Sequence, residues 1–216
     1  MIISYIVGII ISYLIGGIPF GYLIAVAKGI DIRTQGSGNI GATNVGRVLG
    51  KKYGLIIFML DMLKGFAVVF LVPAAVSSAV NIPTTTENLL VILCGFCAVL
   101  GHAFPVYLKF KGGKAVATSF GVFLWLVPIS IAIAFGVWLI TIIVTRYVSL
   151  GSMIGSMALA GTIVVVVNSP FGDNVYLTAM SVAVTILIIA RHTSNIQRII
   201  AGTEKKVFSN ECAKQS

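Results

Sequence analysis

The sequence predicts an all-α polytopic membrane protein with about seven transmembrane helices. Hydrophobic residues make up 58% of the 216 residues and charged residues only 10%, whereas soluble domains carry about 25% charged residues. Long apolar runs alternate with short polar links, and several runs reach the roughly 17 to 25 residues that cross a bilayer. These observations exclude a soluble domain and favour helices, because a helix satisfies its own backbone hydrogen bonds in lipid.

The apolar runs define the predicted spans in order. The first run, residues 2–27, contains Gly16-Gly17-Ile18-Pro19, where the proline is expected to bend the helix. No Lys or Arg precedes Lys28, so this run lacks the basic region of a signal peptide and is expected to be retained. Further runs occupy residues 53–80, 89–108, 115–145, 153–168 and 175–190.

The run at residues 115–145 decides the topology. Its 31 residues are too long for one comfortable span and short for two, and Pro128 divides it, so it forms one kinked helix or a tight hairpin. Fourteen of the 15 Lys and Arg residues lie in polar regions, and the links at residues 81–88 and 169–174 carry none. If this run crosses the bilayer twice, every basic region lies on one side of the membrane. The positive-inside rule therefore predicts seven spans with the N-terminus outside and the C-terminus cytoplasmic.

A glycine-rich polar segment, residues 36–47, lies between the first two spans and is called the Gly-rich segment below. Glycine allows close backbone approach to a ligand, and consecutive N–H groups in such a segment can cradle an anion. Arg47 at its end can grip a phosphate in bidentate fashion. The segment therefore predicts a phosphate-binding loop at a membrane surface, and its candidate ligands are Ser37, Gly38, Asn39, Gly41, Thr43, Asn44 and Arg47.

Two other interpretations of the Gly-rich segment exist. It matches G-x-G-x-x-G, but no strand pattern precedes it and the Lys-Ser/Thr of a P-loop is missing, so dinucleotide binding is disfavoured. A glycine-rich re-entrant or helix-packing segment remains an alternative.

Three further polar clusters occupy residues 101–118, 146–152 and 191–204. In the first, Gly112-Gly113-Lys114 precedes a predicted helix, so a phosphate could meet both the helix N-terminus and the lysine ammonium. His102 is expected to brace the chain at a helix end.

Within the second span, Asp61 and Lys64 are three residues apart, and we expect a structural ion pair. The three cysteines and two histidines form no metal-binding pattern.

The clusters together resemble the signatures of the integral-membrane acyl-phosphate:glycerol-3-phosphate acyltransferases of bacteria. The matching patterns are G-S-G-N-x-G-A-T-N-x-x-R, G-H-x-F-P-x-x-x-x-F-x-G-G-K and R-H-x-x-N-I-x-R-x-x-x-G-T-E, and the resemblance runs from about Ile18 to Glu204. It departs from the family pattern at Ala115, where glycine is expected. It implies one membrane-embedded acyltransferase domain over residues 1–204, followed by a flexible cytoplasmic tail at residues 205–216.

The resemblance also implies roles for individual residues. Ser37, Thr43, Arg47, Lys114 and a serine of the cluster at residues 146–152, Ser149 or else Ser152, would hold the phosphate of the acyl donor. His192 and Asn195, with Arg198, would bind or orient glycerol 3-phosphate, and Glu204 would hold the C-terminal segment. Residues with a direct catalytic role would be His192, Asn195, Lys114 and Ser37.

The implied reaction makes lysophosphatidic acid and inorganic phosphate without a covalent intermediate, a cofactor, coenzyme A or a metal ion. The base for the glycerol hydroxyl is His192 or the departing phosphate, and the phosphate is favoured because Glu204 is the only carboxylate in the four clusters.

The expected partners are the two substrates, membrane lipid and an enzyme that supplies acyl phosphate, with no nucleic acid. The expected location is the bacterial cytoplasmic membrane, with the site on its cytoplasmic face. The alternative is a transporter of phosphorylated solutes, which the lack of an internal repeat disfavours.

Overall fold

A computed structural model describes residues 2–80 and 84–207, and its regular elements there are helical. Within these described residues, five helices are long and apolar enough to cross a membrane, or six if one bent pair counts as a single span. The chain divides into two compact units, Met1–Pro128 and Ile129–Ser216. The predicted class, an all-helical multi-pass membrane protein, is confirmed.

In the described part of the first unit, residues 2–80 and 84–128, there are six α-helices, and two 3₁₀ turns lie at Ile32–Thr34 and Val106–Leu108. Helix α1 packs against α4 and α5, and α4 also packs against α3 and α6. Glycines permit close contact: a Cβ at Gly16 would overlap the backbone of Ala98, and one at Gly121 would overlap the carbonyl of Met62. The helices are α1 (Ile2–Gly17), α2 (Phe20–Ala27), α3 (Ala42–Val48), α4 (Lys51–Val80), α5 (Thr84–Ala103) and α6 (Val116–Leu126).

The second unit contains α7 (Pro128–Thr145, which begins at the boundary residue), α8 (Val148–Val166), α9 (Val175–Arg191) and α10 (Thr193–Ile200). Helix α8 packs against α9, and the Thr185 hydroxyl donates to the Ser156 carbonyl across that contact at 2.8 Å. Helices α9 and α10 meet at a 54° bend.

The two predicted breaks in the apolar runs are confirmed. Helix α1 ends at Gly17 and α2 begins at Phe20, so the first run is interrupted at Ile18-Pro19. Helix α6 ends at Leu126 and α7 begins at Pro128. At about 1.5 Å per residue, the 11 residues of α6 are shorter than a bilayer core.

The predicted span at residues 89–108 agrees with the apolar span Asn88–Leu108, within which helix α5 ends at Ala103 because Pro105 disfavours helical geometry at the residue before it. Other predicted boundaries are wrong. The polar link expected at residues 146–152 contains only Arg146 and Tyr147 outside helix, so Ser149 and Ser152 lie in the buried first turns of α8. The polar tail begins with helix α10, which the sequence did not indicate. Most of the predicted flexible tail, and part of the link at 81–88, lie outside the described residues.

Candidate functional site

The Gly-rich segment is half turn and half helix. Gly36 and Gly38 have positive φ angles of 61° and 70°, which glycine adopts without steric cost. Helix α3 then carries Thr43, Asn44 and Arg47, so the prediction of a continuous loop is wrong for the second half of the segment. The helix forms because Val45 is completely buried in a core shared with α2 and α4.

Asn44 holds the segment together from inside. Its side chain is 2% exposed, its Oδ1 accepts from the Ser37 N–H at 2.8 Å, and its Nδ2 donates to the carbonyls of Gln35 at 3.0 Å and Asn39 at 2.9 Å. A Cβ at Gly36 would overlap the Asn44 amide. The amide of Asn44 is therefore fully used by the backbone of the turn that precedes α3.

The predicted phosphate ligands divide into an outer and an inner set. The side chains of Ser37, Thr43 and Arg47 are exposed. Asn39 Oδ1 accepts from the Gly41 N–H at 2.9 Å, and the Gly38 N–H donates to the Gln35 carbonyl at 2.9 Å. The amide N–H groups of Ser37, Gly38 and Gly41 are thus engaged within the segment, which reduces the predicted backbone cradle and leaves exposed side chains as the groups able to meet an anion.

An acidic residue near the segment is neutralised locally. The Arg33 guanidinium binds the Asp31 carboxylate at 2.7 Å, and this hydrogen bonding lowers the pKa of Asp31 to about 2. Arg33 also lies over the ring of Tyr22, 4.7 Å from its centroid. Asp31 therefore carries its charge in an ion pair and contributes little repulsion toward an approaching anion.

Lys114 follows a tight turn that is built against His102. The Gly113 N–H donates to the His102 carbonyl at 3.1 Å, and a Cβ at Gly113 would overlap the His102 ring. A Cβ at Gly112 would likewise overlap the His102 carbonyl. Lys114 itself is partly buried, two residues before α6 begins. His102 thus packs against the turn, and Lys114 precedes α6.

The residue after Lys114 has an unusual backbone conformation. Ala115 has φ 61° and ψ 5°, in the left-handed region that favours glycine, and it is completely buried. A non-glycine residue there carries a strain of about 1–2 kcal/mol. This conformation explains physically why glycine suits the position, and the buried methyl group shows that alanine fits sterically.

The predicted ion pair in the second span is confirmed, and it reaches further than the sequence indicated. Lys64 Nζ lies 2.7 Å from Asp61 Oδ1, and both side chains are at most 4% exposed. The same Asp61 oxygen lies 3.5 Å from His102 Nδ1. Spacing along α4 could predict the pair, but the contact with α5 depends on tertiary packing.

In the second unit, Glu204 gathers three of the predicted site residues. Its Oε1 accepts from Ser149 Oγ at 2.8 Å and from Asn195 Nδ2 at 2.6 Å, and its Oε2 accepts from Arg198 Nε at 2.7 Å. Burial by itself would raise the pKa of Glu204, but the hydrogen bonds from Arg198, Asn195 and Ser149 outweigh it and lower the pKa below the ordinary 4.5. Glu204 therefore joins the start of α8 to α10.

His192 lies at the bend between α9 and α10 and is 2% exposed. Its Nδ1 lies 2.7 Å from the Ile188 carbonyl, a contact that requires the proton on Nδ1. In a neutral ring Nε2 then carries the lone pair. The Ser152 hydroxyl, the second-choice phosphate ligand, donates to the Val148 carbonyl at 2.9 Å.

Comparison with known proteins assigns a family. Residues 6–202 match the family model described as glycerol-3-phosphate acyltransferase. The glycerol-3-phosphate acyltransferase of Desulforamulus reducens is 45% identical over 202 residues, which cover 92% of this chain and 93% of that protein.

Solved structures are similar over almost the whole chain. A crystal structure of PlsY (YgiH), an integral membrane glycerol 3-phosphate acyltransferase, in its glycerol 3-phosphate form has a TM-score of 0.83 and 39% identity, covering 98% of this chain and 100% of that one. The lysophosphatidic acid form has a TM-score of 0.80 and 38% identity over the same shares.

The inward position of Asn44 generates a first prediction, on the variant Asn44→Asp. The change keeps the acceptor for Ser37 but removes the donors to Gln35 and Asn39, at a local cost of about 1–3 kcal/mol. Trypsin cleavage at the exposed Arg33 should then accelerate about tenfold, because cleavage follows the population of the opened segment.

Asn39→Asp is the matched control, since Asn39 uses only an acceptor toward Gly41 and the charge change is the same. Equal cleavage rates in the two variants would contradict the bracing role of Asn44.

Glu204 generates a second prediction. Glu204→Gln should lower the free energy of unfolding at pH 7 by about 2–4 kcal/mol, because three donors lose a charged acceptor. The carboxylate's contribution is present above its ordinary pKa of 4.5 and is lost as the pH falls through the lowered folded pKa. The stability difference between wild type and variant should therefore persist from pH 8 to pH 5 and shrink below about pH 4.5.

The measurement is thermal unfolding in detergent across that pH range. Asp173→Asn, at an exposed carboxylate, serves as the control and should change stability little at any pH. A Glu204→Gln difference that grows on acidification would refute this account.

Proposed function

This chain belongs to the glycerol-3-phosphate acyltransferase family, and from that premise we propose that it transfers a fatty acyl group from an acyl phosphate to the 1-hydroxyl of sn-glycerol 3-phosphate. The products are lysophosphatidic acid and inorganic phosphate. The observation that carries the proposal is the likeness over 98% of the chain to a glycerol 3-phosphate form of PlsY. The acyl-phosphate donor is supported by the Gly-rich segment and by the turn before Lys114, whose basic groups suit a phosphorylated donor. The family assignment favours acyl transfer over the transporter interpretation.

The donor phosphate is held by side chains on braced segments. Ser37, Thr43 and Arg47 extend from the Gly-rich segment, and Lys114 extends from the turn against His102. Asn39 and Asn44 act as positioning residues, because their amides are engaged with the backbone of the segment. Among the serines of α8, Ser152 suits a phosphate better than Ser149. Ser149 donates its only hydroxyl proton to the Glu204 carboxylate. Ser152 donates to a neutral backbone carbonyl, and its hydroxyl can turn from that carbonyl to an anion, which is the stronger acceptor.

The acceptor, glycerol 3-phosphate, is bound and oriented by His192 and Asn195, with Arg198 contributing positive charge. The Nδ1–H of His192 is directed at the Ile188 carbonyl, so the ring presents Nε2 as a hydrogen-bond acceptor that can orient a glycerol hydroxyl. Asn195 and Arg198 are held by Glu204, which fixes their side chains before substrate binds.

The chemistry needs placement more than activation. The hydroxyl oxygen attacks the acyl carbonyl carbon, the bond from that carbon to the phosphate oxygen breaks, and the phosphate leaves with the electron pair. An acyl phosphate is a mixed anhydride with a good leaving group, so positioning and charge stabilisation suffice without a covalent nucleophile. The single proton of the attacking hydroxyl goes to the departing phosphate, and His192 orients the acceptor by accepting a hydrogen bond from the other hydroxyl of glycerol 3-phosphate. No cofactor, coenzyme A or metal ion takes part.

The membrane arrangement completes the proposal. Seven crossings, with α6 as a short one, put the N-terminus outside and the C-terminus and the basic segments in the cytoplasm. Residues 1–204 act as one acyltransferase domain in the bacterial cytoplasmic membrane. The acyl chain of the donor stays in or beside the bilayer, and a separate enzyme supplies the acyl phosphate. A positive cytoplasmic face raises the local concentration of both phosphate-bearing substrates.

The proposal is tested with purified protein in detergent, given palmitoyl phosphate and glycerol 3-phosphate without coenzyme A or metal. Inorganic phosphate and lysophosphatidic acid should appear in equal amounts. Lys114→Ala should lower kcat/KM by about 10²–10³, because it removes a charge that stabilises the departing phosphate.

Lys111→Ala is the control, since Lys111 is an exposed lysine in the same turn with no proposed ligand role. Turnover with palmitoyl-CoA but not with palmitoyl phosphate would overturn the donor. No turnover with either donor would overturn acyl transfer, and uptake of glycerol 3-phosphate into vesicles would then support the transporter alternative.

A further inference from the structure

We propose that Asp61, Lys64 and His102 form a buried positioning network that sets the geometry of both phosphate-binding segments in the unit Met1–Pro128. The inference rests on the proposed function, since it takes the Gly-rich segment and Lys114 as ligands of the donor phosphate. None of the three residues needs to touch substrate. Their effect is transmitted through helix α2 on one side and through the turn at Gly112-Gly113 on the other.

Lys64 closes the break between α1 and α2. Pro19 has no N–H, and the interrupted helix leaves backbone carbonyls without their regular partners. Lys64 Nζ donates to the Ile18 carbonyl at 2.8 Å and lies 5.5 Å from the centroid of the Phe20 ring. The Ile18 carbonyl also accepts from the Phe20 N–H at 3.1 Å, so Lys64 is a second donor, which ties the start of α2 to α4.

Helix α2 contacts the Gly-rich segment directly. Gly21, one residue into α2, lies so close to the Ile40 carbonyl that a Cβ there would overlap it. Ala25 of the same helix shares a buried core with Ile40 and Val45. A change in the starting point of α2 therefore moves the backbone between Ser37 and Thr43.

The other end of the network reaches Lys114. Asp61 neutralises Lys64 through the 2.7 Å contact and lies 3.5 Å from His102 Nδ1. The opposite edge of the His102 ring lies against Gly113, and the His102 carbonyl accepts the Gly113 N–H. The imidazole therefore lies between the Asp61 carboxylate and the turn at Gly112-Gly113. A shift of the ring would move this turn and with it Lys114.

A purely stabilising role explains the network poorly. Burying an ion pair costs desolvation free energy, and the attraction between the two charges recovers only part of it. Apolar residues of similar volume often make the folded state equally stable. Ionisable side chains inside a membrane segment are therefore retained mainly where position matters. This contrast separates the proposal from simple structural support, because stability and substrate binding should respond differently to the same substitutions.

The experiment compares wild type with Lys64→Met and with the volume-matched double variant Asp61→Leu plus Lys64→Met. Initial rates are measured against palmitoyl phosphate and against glycerol 3-phosphate, together with thermal stability. We expect the double variant to unfold near the wild-type temperature while its KM for palmitoyl phosphate rises about tenfold or more. Its KM for glycerol 3-phosphate should stay within about twofold, since His192 and Asn195 belong to the other unit.

A double-mutant cycle with Lys114→Ala tests how the effect is transmitted. If the network acts by placing Lys114, adding Lys64→Met to Lys114→Ala should cost clearly less than Lys64→Met costs alone. The matched control is Leu90→Ala, a buried α5 residue in a separate apolar cluster, which should lower stability but leave both KM values unchanged. His102→Gln is a second variant with the same expected rise in donor KM, should Lys64→Met fail to fold.

An unchanged donor KM in the folded variants, or full additivity with Lys114→Ala, would overturn the network. Failure of the proposed function is distinguishable, because it would appear as absent turnover in the wild type. In that case binding of inorganic phosphate is measured by calorimetry. Weaker binding in Lys64→Met than in wild type supports the network, and equal binding overturns it.

Discussion

The buried ion pair between Asp61 and Lys64 is the interaction on which the first unit depends most. At the break between α1 and α2, the Ile18 carbonyl accepts from the Phe20 N–H and also from Lys64, which ties the break to α4. The lysine in turn needs a counter-charge, because an isolated ammonium in that environment is costly. Asp61 provides it and continues to His102, so one requirement of electrostatics links the first helix, the second span and the turn that carries Lys114.

The Gly-rich segment is divided between buried braces and exposed ligands. Asn44 is buried and its amide is hydrogen-bonded to the backbone, whereas the side chain of Arg47, one turn later on the same helix, is exposed. In the second unit Glu204 is enclosed and holds Asn195 and Arg198. Such an arrangement fixes ligands before substrate arrives, which is the main contribution an enzyme can make when the leaving group is already good. The polar residues of a motif therefore need not share one role.

Composition and apolar runs were sufficient to predict a helical membrane protein and the breaks at Pro19 and Pro128, since proline acts locally. The ion pair in the second span was also predictable from its spacing. Helices α3 and α10 were not, because each has eight residues or fewer and is stabilised by packing rather than by its own sequence. Nor could the sequence distinguish the inward Asn44 from the outward ligands, because that difference depends on which backbone groups surround each side chain.

The most direct test of the central claim is hydrogen–deuterium exchange of the backbone amides at residues 36–47 and 109–115 in wild type and Lys64→Met. If the buried pair positions both segments, their amides should exchange faster in Lys64→Met, although the substituted side chain touches neither of them. Leu90→Ala should leave these two segments at wild-type rates even if it lowers global stability. Unchanged exchange at both segments in Lys64→Met, or acceleration spread evenly over the whole unit, would contradict the claim that the buried pair positions them.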